Sequence, residues 1–386
     1  MDISYIINEL GEERENYFNA VAPPIIQTSN FVFNKVEDMR RLFEDEYTGY
    51  IYSRGLNPTV DILRKKLAAL DEAEDCLVFN SGSSAIYAAV MANVKSGDHI
   101  VSVNKPYTWA QKLFNNILPR FGVTTTYVDG TSIENFERAI LPNTTIIYLE
   151  TPNSWNLDLQ DLKAIADLAK AEEIITICDN SYCSPLYQKP LALGIDLCLQ
   201  SATKYIGGHS DVVAGVLTGT TAMMKKIFDL EFCTAGTGIS PFNAWLLIRG
   251  LRTLPMRLQK ITENTQKIVD FIKQHPKVES IIFPFDETFP QQALAKKQMQ
   301  GACGLFSFHL IVDRIEDIVT FCESLQHVLM AVSWGGYESL IIPGCASVKP
   351  EDYDITKKSQ RMLRMYVGLE EPDYIINDLS RALNNI

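Results

Sequence analysis

Residues that commonly bind metals are few in this chain, or lie in spacings that do not suit a metal site. Its five histidines lie in separate contexts, and its eight cysteines form no Cys-x-x-Cys pair and no cluster with histidine. No metal site is therefore predicted. Cys178 and Cys198 lie inside apolar, strand-like segments, so we expect reduced, buried thiols and a cytoplasmic protein.

The chain also lacks excess positive charge and long apolar runs. Its formal net charge of −12 argues against nucleic-acid and membrane partners, both of which favour basic surfaces. No apolar run approaches the length of a membrane-spanning helix. The segment that begins at Met1 has no basic region followed by an apolar one, so we expect no secretory signal. Hydrophobic residues make up 46% of the chain, as in ordinary globular proteins.

A length of 386 residues predicts two domains rather than one core. Residues 1–58 are irregular and rich in aromatic side chains, which indicates an N-terminal arm. Strand-like and helical segments then alternate, which predicts a large domain at 59–255 with a mainly parallel sheet. Residues 256–386 mix helical and strand-like segments, which indicates a smaller C-terminal domain. We expect Thr59 to cap the helix that opens the large domain and Met256–Gln274 to form a helix linking the two domains.

Lys204 follows the apolar segment Ile195–Leu199, and two hydroxyl residues, Ser201 and Thr203, precede it. A lysine at the end of a buried strand is partly desolvated, which keeps its amine nucleophilic. The two hydroxyls can bind a phosphate. A phosphorylated cofactor held through a Schiff base needs these groups together.

Two further segments end strand-like runs with polar residues. The loop Ser81-Gly82-Ser83 joins a strand to a helix, where backbone N–H groups can bind a phosphate. The same small residues also suit a plain helix cap. Asp179 ends the apolar run Ile174–Cys178, where its carboxylate could simply cap the next helix or take part in a site.

Together these segments resemble the Cys/Met-metabolism (trans-sulfuration) family of pyridoxal 5′-phosphate (PLP) enzymes, from about Tyr50 to Leu383. The match includes the motif Tyr-Ser-Arg-x-x-Asn-Pro-Thr at residues 52–59. The resemblance implies an α/β fold of PLP fold type I, like that of aspartate aminotransferase. In that fold a mostly parallel sheet forms the large domain, and the smaller C-terminal domain is α+β.

The resemblance also implies a role for each residue. Lys204 would hold PLP, Tyr107 would stack on its ring and assist proton transfers, and Arg364 would bind the substrate α-carboxylate. Tyr52 and Arg54 would contact the phosphate of a neighbouring subunit, with Tyr52 counted among the catalytic residues. A homotetramer built from dimers with shared active sites follows from that role. The remaining cofactor contacts would come from Asp179 at the ring nitrogen and from Ser81, Gly82, Ser83, Ser201 and Thr203 around the phosphate.

The residues that contact the substrate are expected to include Val332, Ser333, Trp334 and Ser154. Ser154 stands where the family often has asparagine, and Asn153 lies one place earlier, so either could contact the cofactor O3′. Trp334 follows Ser333 as a tryptophan follows this serine in the bacterial cystathionine β-lyases. We expect its bulk, beside the carboxylate site, to restrict the room for γ-elimination and so to favour Cβ–S cleavage. Val332 is apolar where cystathionine-handling γ-enzymes often carry glutamate, so it offers no partner to a distal ammonium. Arg364 lies within an apolar strand-like run, so we also expect a buried partner for it.

These features favour a carbon–sulfur lyase that cleaves a sulfur amino acid by α,β-elimination, as in the conversion of cystathionine to homocysteine, pyruvate and ammonia. The alternative on the same scaffold is a cystathionine or methionine γ-lyase, or a cystathionine γ-synthase. A third possibility, of a different class, is a PLP-binding regulatory paralogue without turnover. The preferred substrate and the direction of the pathway stay open at this point.

Overall fold

The computed structural model describes residues 1–386 and contains two β-sheets. The larger sheet comprises β1 (Asp75–Phe79), β2 (His99–Val103), β3 (Thr124–Val128), β4 (Thr144–Glu150), β5 (Ile175–Asp179), β6 (Leu197–Gln200) and β7 (Gly215–Gly219). The smaller sheet comprises β8 (Val278–Ile282), β9 (Leu305–Leu310), β10 (Leu329–Met330), β11 (Leu340–Pro343) and β12 (Met362–Tyr366).

Helices surround both sheets. In the arm and the large domain they are α1 (Ile3–Asn8), α2 (Val36–Glu44), α3 (Pro58–Asp71), α4 (Gly82–Met91), α5 (Thr108–Lys112), α6 (Ile133–Ala139), α7 (Leu162–Ala171), α8 (Ser184–Tyr187), α9 (Thr221–Ile227) and α10 (Cys233–Ala235). Then follow α11 (Pro241–Gln274), α12 (Gln292–Gln298), α13 (Ile315–Ser324), α14 (Lys358–Arg361) and α15 (Pro372–Asn384). No helix combines the length and the hydropathy that crossing a membrane requires.

The large sheet has the strand order β1-β7-β6-β5-β4-β2-β3. Strand β7 is antiparallel to both of its neighbours, and the other strands all run in one direction. The carboxyl ends of β1, β2, β4, β5 and β6 therefore meet along one side of the sheet, here called the carboxyl edge. This arrangement confirms the predicted α/β class and the mostly parallel sheet.

Both faces of the large sheet are buried, which explains why its central strands are apolar throughout. Ile146 and Ile147 are successive residues of β4, and both are fully buried. Because side chains alternate along a strand, Ile146 packs in the core that contains α4 and Ile147 in the core that contains α7.

The smaller sheet has the order β10-β11-β12-β9-β8 and belongs to the C-terminal α+β unit. Helices α13 and α15 pack against each other, and α15 also contacts α11. Helix α11 begins well before the helix predicted from the sequence and spans the predicted domain boundary, with Pro255 inside it. Sequence patterns do not favour a helix through Gly250 and Pro255. A side chain at Gly250 would lie 2.4 Å from the carbonyl oxygen of Ile206, so close packing explains this glycine.

The helix that opens the large domain begins two residues earlier than expected, at Pro58. Its N-cap is Asn57, whose side-chain oxygen accepts a hydrogen bond of 2.9 Å from the backbone N–H of Thr59. Pro58 occupies the first helical position, where its missing N–H costs nothing. The sequence prediction of Thr59 as the cap is therefore wrong, because Asn57 supplies the capping oxygen.

The start of the chain packs into the large domain instead of extending from it. Ile6 and Ile7 of α1 are buried against α3 and α11. Glu12 and Lys66 form an ion pair of 3.0 Å in which both side chains are 0% exposed. Arg252 of α11 contacts the same carboxylate at 2.9 Å. Glu12 thus joins the first residues of the chain to α3 and to α11.

We expect Glu12→Ala to lower the free energy of unfolding by about 3–5 kcal/mol, because it leaves the buried ammonium of Lys66 without a counter-charge. Only the carbonyl oxygens of Ile6 and Ile7, at 3.1 and 3.2 Å, would remain as its acceptors. Urea unfolding followed by tryptophan fluorescence measures the loss.

The matched control is Glu13→Ala. Glu13 pairs with Lys65 at 3.8 Å on the surface, so its removal should change the free energy of unfolding by no more than about 0.5 kcal/mol. Equal losses in the two variants would contradict the structural importance of the buried pair.

Candidate active site

A cavity of about 760 Å³ lies at the carboxyl edge, between the large sheet and the smaller one. Its volume lies within the range of small-molecule sites. Loops that follow β1, β2, β4, β5 and β6 supply one side, and the C-terminal unit supplies the other. The sequence-predicted residues that line it are Ser81, Gly82, Ser83, Tyr107, Ser154, Asp179, Ser201, Thr203, Lys204, Val332, Ser333, Trp334 and Arg364.

Lys204 follows β6 and projects its amine into this cavity. The amine donates a hydrogen bond to the hydroxyl of Ser333 and lies 5.3 Å from the ring centre of Trp334. Burial lowers the pKa of Lys204 to about 8, and Arg364 adds to this effect while Asp179 opposes it. A substantial fraction of the amine is therefore neutral, and nucleophilic, near physiological pH.

The loop that bears Ser333 is held unusually close to Lys204. Ser333 has a backbone φ of +87°, a conformation that non-glycine residues rarely adopt. A side chain at Gly335, whose φ is +89°, would lie 2.8 Å from Cα of Lys204. The close approach of the two segments therefore requires a glycine at position 335.

Two carboxylates lie side by side at the carboxyl edge. Glu150 ends β4, Asp179 ends β5, and the two residues are direct partners in the sheet register. Burial raises the pKa of Asp179, and burial together with Asp179 raises the pKa of Glu150 to about 7. No cationic side chain forms a hydrogen bond with either carboxylate. The pair therefore lacks a counter-charge in direct contact within the chain.

The first turn of α4 faces the cavity. Ser81 is the N-cap of this helix, and its hydroxyl accepts a hydrogen bond from the backbone N–H of Ser84 at 3.1 Å. A side chain at Gly215 would lie 2.3 Å from the carbonyl oxygen of Ser81, so glycine is needed for β7 to approach this loop. The free N–H groups of the turn and the helix dipole together favour an anion here.

The two hydroxyl residues before Lys204 differ in their hydrogen bonding. Thr203 donates to the carbonyl oxygen of Ala214 at 3.2 Å and accepts from its N–H at 3.0 Å. The hydroxyl of Ser201 forms no hydrogen bond within the chain, whereas its N–H donates to the hydroxyl of Ser181 at 2.7 Å. Ser201 is therefore the hydroxyl that can donate to a phosphate without losing an existing bond.

Tyr107 opens α5, and its side chain is 41% exposed at the cavity. Its backbone N–H donates to Glu150 at 2.5 Å. Burial raises the pKa of the Tyr107 phenol, while a hydrogen bond with Ser83 opposes that shift. The phenol therefore keeps its proton at neutral pH and can act as a proton donor.

Arg364 occupies the middle of β12. The partner expected for it is not a carboxylate, because its Nη1 donates to the carbonyl oxygen of Ser154 at 2.9 Å and its guanidinium lies 4.9 Å from the ring centre of Trp155. Burial lowers the pKa of Arg364 to about 10, and Glu150 opposes this shift. The group stays charged at neutral pH and keeps donors for an anion inside the cavity.

Three predicted residues lie outside this cavity. Tyr52 is exposed, and the guanidinium of Arg54 lies 5.4 Å from its ring centre. Asn153 is buried and lines a smaller neighbouring cleft, where its amide donates to the carbonyl oxygen of Lys105 at 3.0 Å. Of the two candidates for a contact with the cofactor O3′, only Ser154 therefore faces the cavity.

Trp334 and Val332 occupy unlike environments. The indole of Trp334 is 6% exposed and packs against Tyr205, with ring centres 5.4 Å apart. The aromatic ring beside Arg364 is Trp155, which the sequence analysis did not name. Trp334 nevertheless lines the cavity beside Lys204, so its expected restriction of the room for γ-elimination stays a prediction. Val332 is 80% exposed at the cavity mouth.

Glu150 is the main site residue that sequence reasoning missed. It ends an apolar strand in the same way as Asp179, and this shared pattern could have identified it. Ser181 was also missed, although it lies two residues after Asp179 and donates its N–H to that carboxylate at 2.9 Å. The contact of Glu150 with Tyr107, which lies on a loop far away in sequence, is one that a motif search does not reveal.

The residues present fit PLP. Asp179 is a buried carboxylate that hydrogen-bonds no cationic side chain, and a protonated pyridine nitrogen would supply the missing positive charge. The first turn of α4 suits the phosphate, the amine of Lys204 suits the aldehyde carbon, and Tyr107 can cover the ring.

Comparison with known proteins gives the same assignment. A family model described as Cys/Met metabolism PLP-dependent enzyme matches residues 5–384. The L-methionine gamma-lyase of Treponema denticola is 39% identical over 379 residues, which is 96% of this chain and 94% of that protein. The cystathionine gamma-lyase of Bacillus subtilis is 37% identical over 372 residues, which is 95% of each chain. The L-methionine gamma-lyase of Pseudomonas putida is 34% identical over 379 residues, 97% of this chain and 95% of that protein.

The matches cover both sheets and every residue that lines the cavity. The prediction of PLP as the cofactor is confirmed by the family model, and so is the predicted fold class. With a family model along nearly the whole chain and relatives above 30% identity, this protein belongs to the Cys/Met-metabolism family of PLP-dependent enzymes.

Proposed function

We propose that this protein is a PLP-dependent γ-lyase that cleaves the Cγ–S bond of a sulfur amino acid. The support is the similarity of nearly the whole chain to proteins named L-methionine gamma-lyase and cystathionine gamma-lyase, together with a cavity that contains a desolvated lysine. The β-elimination favoured by the sequence has no comparable support. Its sequence argument was the bulk of Trp334, but the ring that lies against the Arg364 guanidinium is Trp155, whereas Trp334 lines the cavity beside Lys204.

Arg364 would orient the substrate. Its planar guanidinium can bind the α-carboxylate through two parallel hydrogen bonds. Arg364 lies on β12 and Lys204 after β6, so the substrate would span the space between the two sheets. The α-carbon would then face the amine of Lys204. Such fixed placement of reacting groups contributes several kcal/mol to rate enhancement in enzymes.

Lys204 would hold the cofactor between turnovers and move protons during them. PLP, when bound, supplies an electron sink for the negative charge that develops beside the reacting carbon. Asp179 would keep the ring nitrogen protonated. The lowered pKa of Lys204, about 8, suits an amine that both takes and returns a proton near neutral pH.

γ-Elimination requires proton removal at Cα and then at Cβ, and the amine of Lys204, which lines the cavity and has a lowered pKa, would serve as the base. Tyr107 would complete the acid–base set. The raised pKa of its phenol keeps the proton available for a departing thiolate.

The cavity mouth favours substrates with an apolar distal end. Val332 and Val213 are 80% and 60% exposed there, and Trp109 adds an indole. The carboxylates that line the cavity, Glu150 and Asp179, are buried at its floor, 3% and 7% exposed. The distal ammonium of cystathionine would therefore find no carboxylate at the mouth of this chain. We infer a preference for methionine-like thioethers.

A second chain would complete the site. Tyr52 and Arg54 lie outside the cavity of their own chain, and Arg54 carries a charge suited to phosphate. The arm exposes Phe18, Val21 and Val32 at 100%, 81% and 91%, an apolar surface that another copy could cover. We infer a dimer as the minimal active unit, with two dimers forming the tetramer that the family resemblance implies.

Lys204→Ala should abolish the visible absorbance band of lysine-bound PLP, because the variant has no amine at that position. The control is Lys105→Ala, which removes the other lysine that lines the cavity and should leave the band in place. Absorbance spectra of both variants, purified with PLP, test the assignment. A retained band in Lys204→Ala that borohydride fixes onto another lysine would contradict it.

The rate at which the PLP-free protein takes up PLP should rise with pH and level off above about pH 8. Only the neutral amine attacks the aldehyde, and the pKa of Lys204 is lowered to about 8, so the neutral form predominates above that value. Stopped-flow absorbance across pH 6–10 measures the profile. A rise centred near the ordinary lysine value of about 10.4 would show that burial does not tune this amine.

L-Methionine should yield 2-oxobutyrate, methanethiol and ammonia, and L-cystathionine should yield 2-oxobutyrate, cysteine and ammonia. Mass spectrometry of the oxo acid formed from L-cystathionine distinguishes γ-elimination, which gives 2-oxobutyrate, from β-elimination, which gives pyruvate. A product that is mainly pyruvate would overturn the γ-lyase proposal and restore the β-lyase alternative.

Mixing Arg54→Ala chains with Lys204→Ala chains should restore part of the activity that each variant lacks alone. In a mixed dimer one site would combine an intact Lys204 with an intact Arg54 from the other chain. Activity is assayed after dissociation and reassembly, with each variant treated alone as the control. Full activity of a wild-type monomer, verified by ultracentrifugation at assay concentration, would refute the shared site.

A further inference from the structure

Glu150 connects two loops of the active site. One carboxylate oxygen accepts the backbone N–H of Tyr107 at 2.5 Å, and the other accepts the backbone N–H of Ser154 at 2.7 Å. Tyr107 follows β2, whereas Ser154 follows β4 itself. The side chain is only 3% exposed, so water does not compete for these bonds. A single side chain thus fixes the backbone of two loops that face the cavity.

The connection continues to the arginine of the C-terminal unit. The carbonyl oxygen of Ser154 accepts a hydrogen bond of 2.9 Å from Nη1 of Arg364. The next residue, Trp155, lies against the guanidinium at 4.9 Å. The loop that Glu150 holds through its N–H therefore holds Arg364 through its carbonyl group and its indole.

Stability alone does not explain a carboxylate at this position. Burial and the adjacent Asp179 both disfavour the charged form of Glu150, whose pKa is raised to about 7. No cationic side chain hydrogen-bonds to it, so the two N–H groups are its direct compensation. An apolar residue would bury in the strand at lower cost, whereas a carboxylate offers two acceptor oxygens.

We propose that Glu150 is a positioning residue, which fixes Tyr107 on one side of the cavity and Arg364, through Ser154, on the other. The inference rests on the proposed role of Arg364 in binding the substrate carboxylate. The position of the Arg364 guanidinium would then depend on β4 of the large sheet, through Glu150 and Ser154, as well as on β12.

The test uses the PLP-loaded enzyme and two ligands that differ only in the carboxylate. Glycine has no side chain to eliminate, and methylamine is the same amine without the α-carboxylate. Binding of each is followed by the change in visible absorbance, which does not depend on turnover. Glu150→Gln keeps one acceptor oxygen and replaces the other with an NH₂ group, so it can hold only one of the two loops.

We expect Glu150→Gln to bind glycine about tenfold more weakly and methylamine within about twofold of the wild type. PLP content should not change, and the visible circular-dichroism band should lose amplitude as the Tyr107 loop loosens. Glu150→Asp, whose shorter side chain cannot reach both N–H groups, should give the same pattern and serves if the glutamine variant does not fold.

Tyr148→Phe is the matched control on the same strand. The buried hydroxyl of Tyr148 has no hydrogen-bond partner, so its removal should leave both affinities unchanged. Arg364→Lys should also weaken glycine binding. Because Glu150 would act through Arg364, the double variant should lose less affinity than the product of the two single losses.

The results separate this inference from the proposed function. Arg364→Lys that binds glycine normally would overturn the carboxylate role of Arg364, and the action of Glu150 through it as well. If Arg364→Lys binds glycine weakly but Glu150→Gln binds it as the wild type does, the positioning role of Glu150 alone would be overturned. Equal weakening of glycine and methylamine, or independent losses in the double variant, would also overturn it, because both would indicate a general structural defect.

Discussion

Two buried carboxylates that share one edge of the sheet set the electrostatics of this active site. Glu150 and Asp179 are register partners on adjacent parallel strands, so their side chains cannot separate without breaking the sheet. Burial disfavours the charged form of both carboxyl groups, and the charge of Asp179 further disfavours the charged form of Glu150. Burial also lowers the pKa values of the two nearby positive groups, Lys204 and Arg364, because it removes them from water. A protonated ring nitrogen would supply Asp179 with the counter-charge that no cationic side chain of the chain supplies by direct contact.

The cavity depends on the close approach of two units with separate sheets. Lys204 belongs to the large domain, yet its hydrogen-bond acceptor is Ser333 from the C-terminal unit. A second bond joins the same regions, because the hydroxyl of Ser210 donates to Glu338 at 2.6 Å. Gly335 permits this approach by leaving room beside the backbone of Lys204. The amine is therefore desolvated by both units together.

The beginning of the chain has an analogous buried charge with a different outcome. Glu12 is compensated by Lys66 and by Arg252, so it stabilises packing and has no access to the cavity. Glu150 accepts its hydrogen bonds from backbone N–H groups and from no cationic side chain, so its stabilisation depends on the positions of two loops. The contrast shows how one residue type serves either stability or positioning, according to its partners.

The sequence by itself determined the α/β class, the parallel sheet, the family and its cofactor, because alternating apolar segments and short motifs are local properties of the chain. Polar residues that end apolar strands, such as Asp179 and Lys204, were recognised for the same reason. Only the tertiary structure decided that Asn57 rather than Thr59 caps α3, that Trp155 rather than Trp334 lies against Arg364, and that Glu150 binds two loops. Those outcomes depend on distances between residues far apart in sequence, and packing geometry, not local pattern, fixes such distances.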